Sequence, residues 1–278
     1  MKRSLRRWVL SCLFMLAMPV RAELVIEITQ GIDNPTVIAV SPFAWQGVGL
    51  PPEDVAYIVE NDLYRSGQFT PVARENMLGT PSRDEDIFFR DWRMVNAQYL
   101  LIGSITPGAE LVADFALYDV LKQTLVIQGS ERAPTSDARM LAHRIADRVY
   151  TALTGIPGAF ATKLLYVAVA PVPGEKDYYE LTLADSDGAR PKVLLASREP
   201  ILAPTWSPDT KEIAYVSFET SRPAIFRQNL TTGAREQLTA FRGLNGSPAW
   251  SPDGKRMAMV LSKDGSPDIY VLDLATYQ

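Results

Sequence analysis

Apolar and polar positions follow two rhythms along the chain, and the change falls near Thr154. Before it, helical and strand patterns alternate. Leu24, Ile26 and Ile28 alternate with Val25, Glu27 and Thr29, which predicts a half-buried strand. Thr36 to Pro42 reads as a buried strand, and Pro51-Pro52-Glu53-Asp54 opens a helix to about Ser66. Val55, Ile58, Val59 and Leu63 give that helix its apolar stripe, and Gly67 closes it. A short strand is expected at Phe69 to Val72 and a short helix at Asp91 to Val95. Tyr99–Thr106, Leu111–Asp119 and Thr124–Glu131 read as consecutive antiparallel strands, with a turn at Pro107-Gly108. Ser136 or Asp137 is placed to cap a second helix ending at Leu153, apolar at Leu141, Ile145 and Val149. The pattern predicts an α+β domain, a mixed sheet with two main helices packed on it.

After Thr154-Gly155-Ile156-Pro157-Gly158 only strands and turns remain, and they repeat. Pro204-Thr-Trp-Ser-Pro-Asp-Thr-Lys-Glu-Ile-Ala-Tyr-Val-Ser aligns with Pro248-Ala-Trp-Ser-Pro-Asp-Gly-Lys-Arg-Met-Ala-Met-Val-Leu, setting Trp206 and Trp250 44 residues apart. Pro223-Ala-Ile-Phe-Arg-Gln-Asn-Leu matches Pro267-Asp-Ile-Tyr-Val-Leu-Asp-Leu at the same offset. A weaker copy precedes them at Leu165–Val169 and Tyr179–Leu183. A period of this length, with about four strands per unit, marks the blades of a β-propeller. In Ser251-Pro-Asp-Gly254 proline presets the turn and glycine suits its fourth position, whereas Thr210 stands at that place in the first copy. Trp206 and Trp250 are expected to pack between blades. Only 113 residues run from Tyr166 to Gln278, about two and a half blades, so an incomplete propeller belonging to a longer protein is expected.

The first residues change the picture of where the chain works. Lys2, Arg3, Arg6 and Arg7 precede an apolar run from Trp8 to Val20, and Val20-Arg21-Ala22 offers small residues for cleavage after Ala22. This predicts a secretory signal at residues 1–22, an α/β domain at 23–157 and blades at 158–278. Of 28 basic and 32 acidic residues the signal removes five basic ones, leaving 23 against 32 and a net charge of −9. Such a balance disfavours nucleic acid and anionic membrane surfaces as partners. The single cysteine, Cys12, leaves with the signal, so no disulfide or thiol chemistry is expected, and the periplasm is the compartment that fits. No further stretch is long and apolar enough to predict a transmembrane helix.

The residues that carry enzyme chemistry are missing from the pattern. His143 is the only histidine, and it is expected on a polar helical face with Arg139 and Arg144, in a structural role. No hydrolase elbow, phosphate loop, zinc motif or dinucleotide fingerprint occurs. Asp185-Ser-Asp-Gly188 begins like a calcium loop, but its twelfth position is Ala196 rather than Glu, so it reads as a hairpin turn. No catalytic residue, metal site or cofactor is expected.

The chain resembles the TolB family of the Tol-Pal envelope system. The resemblance rests on Glu23-Leu-Val-Ile-Glu-Ile-Thr-Gln-Gly31, Pro52-Glu-Asp-Val55, Asp62-Leu-Tyr-Arg-Ser-Gly-Gln-Phe69 and Leu153-Thr-Gly-Ile-Pro-Gly-Ala-Phe160. It continues through Pro204–Asp209, Ala214–Glu219 and Asn245-Gly-Ser-Pro248. It implies a periplasmic, non-enzymatic adaptor with a six-bladed propeller, which at this period would run to roughly residue 425. Its implied partners are the peptidoglycan-associated lipoprotein Pal and the membrane-anchored TolA, with outer-membrane porins and lipoproteins as further candidates. The implied role is outer-membrane integrity and envelope constriction during cell division, and group A colicins exploit it for import. The implied TolA-binding segment matches Glu23, Leu24, Val25, Ile26, Glu27, Ile28, Thr29, Gln30, Gly31, Ile32 and Asp33. The implied Pal-facing loop matches Arg242, Gly243, Leu244, Asn245, Gly246 and Ser247, with Leu244 where some members carry a polar or ionisable residue. On the residues alone, a peptidoglycan- or carbohydrate-binding propeller is the alternative, and a propeller peptidase would need a hydrolase domain after residue 278.

Overall fold

Asp54 fixes where the first long helix begins. Its Oδ1 accepts the backbone N–H of Tyr57 at 3.0 Å, satisfying one of the helix's orphan donors, and its Oδ2 accepts Arg74 Nη1 at 2.6 Å. Helix α1 therefore runs Val55–Arg65, and Pro51 and Pro52 precede it rather than opening it. Gly67, at φ +71°, ends it in the left-handed conformation that glycine adopts without penalty. In a computed structural model, residues 34–278 apart from Glu175 are described. The expected leader, the strand at Leu24–Ile28 and the segment Glu23–Asp33 lie outside the described residues.

A mixed sheet receives α1. Strands β1 (Thr36–Val40), β2 (Ala44–Trp45), β3 (Phe69–Pro71), β4 (Tyr99–Thr106), β5 (Leu111–Asp119) and β6 (Thr124–Ala133) lie in the order β3-β1-β4-β5-β6, with β2 beside the end of β4. β1 is parallel to β3 and β4, whereas β4, β5 and β6 form an antiparallel meander. Alternation divides β5: Leu111, Ala113, Phe115 and Leu117 pack with the buried stripes of α1 and α3 (Ala138–Thr154). On the other face, Trp92 of α2 (Phe89–Met94) packs with Leu100, Ile102 and Tyr118.

Helix α3 differs from expectation at two residues. Asp137 stands at its N-cap without capping, because its carboxylate accepts Arg190 Nη1 at 2.7 Å from the blade half. A charge-assisted bond of that kind is stronger than a bond to a neutral backbone N–H. His143, expected on a polar face, is fully buried. Gly155, at φ +74°, closes the helix with its N–H on Thr151. Asp147 then ties α3 to the chain entering the blades, accepting Phe160 N at 2.6 Å and Ala161 N at 3.1 Å. A Cβ at Gly158 would lie 2.5 Å from the Cα of Asp147, so only glycine fits this approach.

The blade half consists of three antiparallel sheets among the described residues. The first is β7 (Lys163–Ala170), β8 (Tyr178–Asp185) and β9 (Lys192–Ser197). The second is β10 (Ile201–Trp206), β11 (Glu212–Ser217), β12 (Ala224–Asn229) and β13 (Arg235–Thr239). The third is β14 (Asn245–Trp250), β15 (Arg256–Leu261) and β16 (Asp268–Asp273). The repeat extends to backbone detail. β-Bulges interrupt β10–β11 between Leu202 and Thr205 and β14–β15 between Gly246 and Ala249. Ala203 and Ser247, again one repeat apart, have φ of +47° and +51°. Tyr215 and Phe226 of the second blade stack against the first with Leu181 and Trp206, and Val216 and Ile225 pack on the third with Met257, Met259 and Trp250. Both tryptophans thus lie between blades.

Candidate interaction surfaces

Of the residues expected to meet partners, Arg242 to Ser247 are described. They span the connection from β13 into β14, at the blade end next to the bulge. Asn245 organises this loop. Its side chain is fully buried, its Oδ1 accepts Phe241 N at 3.0 Å, and its Nδ2 donates to Phe241 O at 2.7 Å and Gly243 O at 3.3 Å. Just after β15, Ser262 accepts Leu244 N on its Oγ at 2.7 Å and donates its own N–H to Leu244 O at 3.1 Å. Gly243 sits at φ +89°, and a Cβ there would meet Ser262 Oγ. With its backbone held on both sides, the loop turns Phe241, Arg242 and Leu244 outward, Phe241 and Leu244 being 44% and 43% exposed. Lys263 Nζ lies 5.3 Å from the centre of the Phe241 ring and 4.6 Å from that of Tyr270, adding positive charge beside the apolar pair. The arrangement is an apolar tip with two cations, held by buried amide chemistry.

An open groove of about 620 Å³ on the second face of the mixed sheet is lined by Gly103, Ser104, Asp114, Gln128 and Ser130, with Arg83 and Glu85 at its edge. It contains no histidine. Titratable groups are held away from their ordinary range by contacts within the fold. Burial pushes the Tyr118 hydroxyl up, and Asp84 beside it adds to the rise. Burial also acts to raise Asp185, but hydrogen bonds from Arg190 and Lys163 outweigh it and hold the carboxyl below the usual range.

That carboxylate belongs to the joint between the helix layer and the first blade. Arg65 of α1 donates to Ser186 O at 3.2 Å, Arg139 of α3 pairs with Asp187, and Arg190 Nε donates to Asp185 at 2.7 Å. Lys163 completes the set on Asp185. His143 lies behind this network with Nδ1 2.6 Å from Asp62 Oδ2. Together with Asp185 and Asp187 it is the one group among the described residues placed to hold a metal ion. The sequence reading missed it because its members are far apart in the chain. A helical position bordering the stripe of Ala142, Ile145 and Val149 was the available signal.

Known proteins match both halves. Residues 24–126 match the TolB amino-terminal domain and residues 150–278 the TolB beta propeller domain. The Tol-Pal system protein TolB of Pseudomonas putida is 49% identical over 231 residues, covering 83% of this chain and 53% of that protein. Its counterpart in Marinomonas is 50% identical over 232 residues, again 53% of its length. The crystal structure of TolB from Acinetobacter baumannii superposes with a TM-score of 0.79 at 42% identity, covering 91% of this chain and 61% of that one. The chain spans about half the length of the curated relatives it matches. With both domain types matched in order and this extent of identity, the chain belongs to the TolB family of the Tol-Pal system.

Proposed function

We propose that this chain is a periplasmic, non-catalytic adaptor of the Tol-Pal system, secreted by cleavage after Ala22. It takes the lipoprotein Pal on the blade end carrying Arg242–Ser247 and TolA on Glu23–Asp33. In this role it supports outer-membrane integrity and constriction during division. The observation that carries the reading is the loop built on Asn245: its recognition surface is ordered before any partner arrives, which lowers the entropic cost of binding. Membership of the TolB family supplies the system in which that surface works. The alternating apolar and polar sequence of Leu24–Thr29 suits binding by addition of a strand to a partner's sheet edge. Calorimetric titration of TolA into the chain, and into a variant lacking residues 23–33, tests this half of the proposal. The expected result is binding by the first and none by the second, with the same melting temperature. Equal affinity for both contradicts it.

A further inference from the structure

His143 is held by one carboxylate and left open towards two others. Nδ1 lies 2.6 Å from Asp62 Oδ2 and is the engaged nitrogen; in the tautomer that carries its proton there, Nε2 presents a lone pair. Nε2 is buried and has no hydrogen-bond partner, an arrangement that is costly for a buried polar atom. Asp185 ends β8 and Asp187 follows in the turn; a ring nitrogen of His143 and one carboxylate oxygen from each lie within 4.8 Å of one another. Since Nδ1 is taken, Nε2 is the nitrogen free to complete this set. These three ligand atoms then converge on one point, where Arg139, Lys163 and Arg190 now supply the positive charge to the two carboxylates.

We propose that His143 Nε2, Asp185 and Asp187 form a site for one divalent transition-metal ion of the zinc class, with Asp62 as the carboxylate behind the histidine. One imidazole nitrogen and two carboxylate oxygens match the ligands of zinc and its neighbours and are too few for calcium, which takes six to eight oxygens. Metal-bound histidines almost always donate their second nitrogen to a carboxylate or carbonyl, as His143 does to Asp62. The ion competes with cations already present. Arg139 pairs with Asp187, and its buried Nε stands 3.5 Å from Asp185 Oδ2 without a hydrogen bond. Lys163 and Arg190 also hold Asp185, through one oxygen each, and Arg65 holds the second oxygen of Asp62. Arg139, whose buried Nε lacks a hydrogen bond although Nη1 lies 3.7 Å from Glu53, is the group the metal displaces. The ion would fasten α3 to the first blade at the point where that guanidinium now does.

The chain offers a clean test because His143 is its only histidine. Protein purified without a polyhistidine tag is titrated with Co²⁺, read by the visible d–d absorption of the ion, and then with Zn²⁺ in competition. One equivalent of Co²⁺ is expected to bind, with displacement by Zn²⁺. His143→Ala is expected to abolish the band. Asp187→Asn and Asp62→Asn should weaken binding about 10- to 100-fold, and Arg139→Gln should tighten it. Asp187 lies in a turn, so Asp187→Asn carries the test if the histidine variant fails to fold. Absence of the band from the folded chain, or an affinity unchanged by folded Asp187→Asn, overturns the site and leaves a second proton on Nε2 as what fills the gap.

Discussion

Thr210 and Gly254 occupy the same turn position in successive blades, at φ +60° and +68°. The surrounding turn is reproduced bond for bond. Ser207 Oγ and Ser251 Oγ each donate to the aspartate two residues on and accept the N–H five residues on, the latter at 2.9 Å in both copies. The left-handed conformation costs a β-branched residue about 1–2 kcal/mol that glycine escapes, part of which returns as extra freedom of the unfolded chain. Thr210→Gly is therefore expected to stabilise the protein by roughly 0.5–1 kcal/mol, measurable as a higher urea midpoint with unchanged slope. Asn245→Ala should act in the opposite direction. It strands the N–H of Phe241 and two carbonyls, at a cost of about 1–3 kcal/mol. The glycine-to-threonine exchange was legible in the aligned repeat. The role of Asn245 was not, because an Asn in a Gly-rich connection reads equally as an exposed turn residue. His143 was misread for a related reason: Arg139 and Arg144 beside it suggested solvent, while Arg139 in fact turns inward to the first blade.

Among the elements, those with strict periodicity were read closely. The meander from Tyr99 begins and ends within about two residues of its expected bounds, because alternation and turn residues agree there. The two-residue β2 and the single 3-10 turns at Arg74–Asn76 and Asp84–Asp86 carry no period long enough to detect. The bulges after Leu202 and Gly246 were also invisible, since a bulge is defined by the partner strand. The clasp between α3 and the blades makes its own forecast. Gly158→Ala forces a Cβ against the backbone of Asp147 and should displace the N–H groups of Phe160 and Ala161 from its carboxylate. A loss of about 1–3 kcal/mol is expected, with hydrogen exchange at Phe160 and Ala161 accelerating more than exchange in β4 and β5.

At the scale of the whole molecule, the joint between helix layer and blades is electrostatic, and its pH dependence follows from Asp185. Held below the ordinary carboxylate range, this group contributes stability that is complete above its unfolded value of about pH 3.9. The contribution is lost as pH falls through the lower folded value. Asp185→Asn removes that charge from Lys163, Arg190 and Arg139, the first two of which are partly exposed, and should cost about 1–3 kcal/mol near neutrality. The difference in melting temperature between the two proteins should shrink as pH drops below about 4; a difference constant across the range would assign it to packing instead. The division into an α+β half and repeating blades was plain in the sequence. The ion pairs joining them were not, because they link Arg65, Arg139 and Asp185–Arg190 across long separations.

The adaptor reading stands most directly on the loop from Arg242 to Ser247. Calorimetric titration of purified Pal into the chain and into Asn245→Ala tests it. The account expects saturable one-to-one binding by the chain, at least tenfold weaker binding by the variant, and an unchanged affinity of both for TolA. A folded chain that binds no Pal, or a variant that binds it equally well, would contradict the assignment of this blade end as the Pal-binding face.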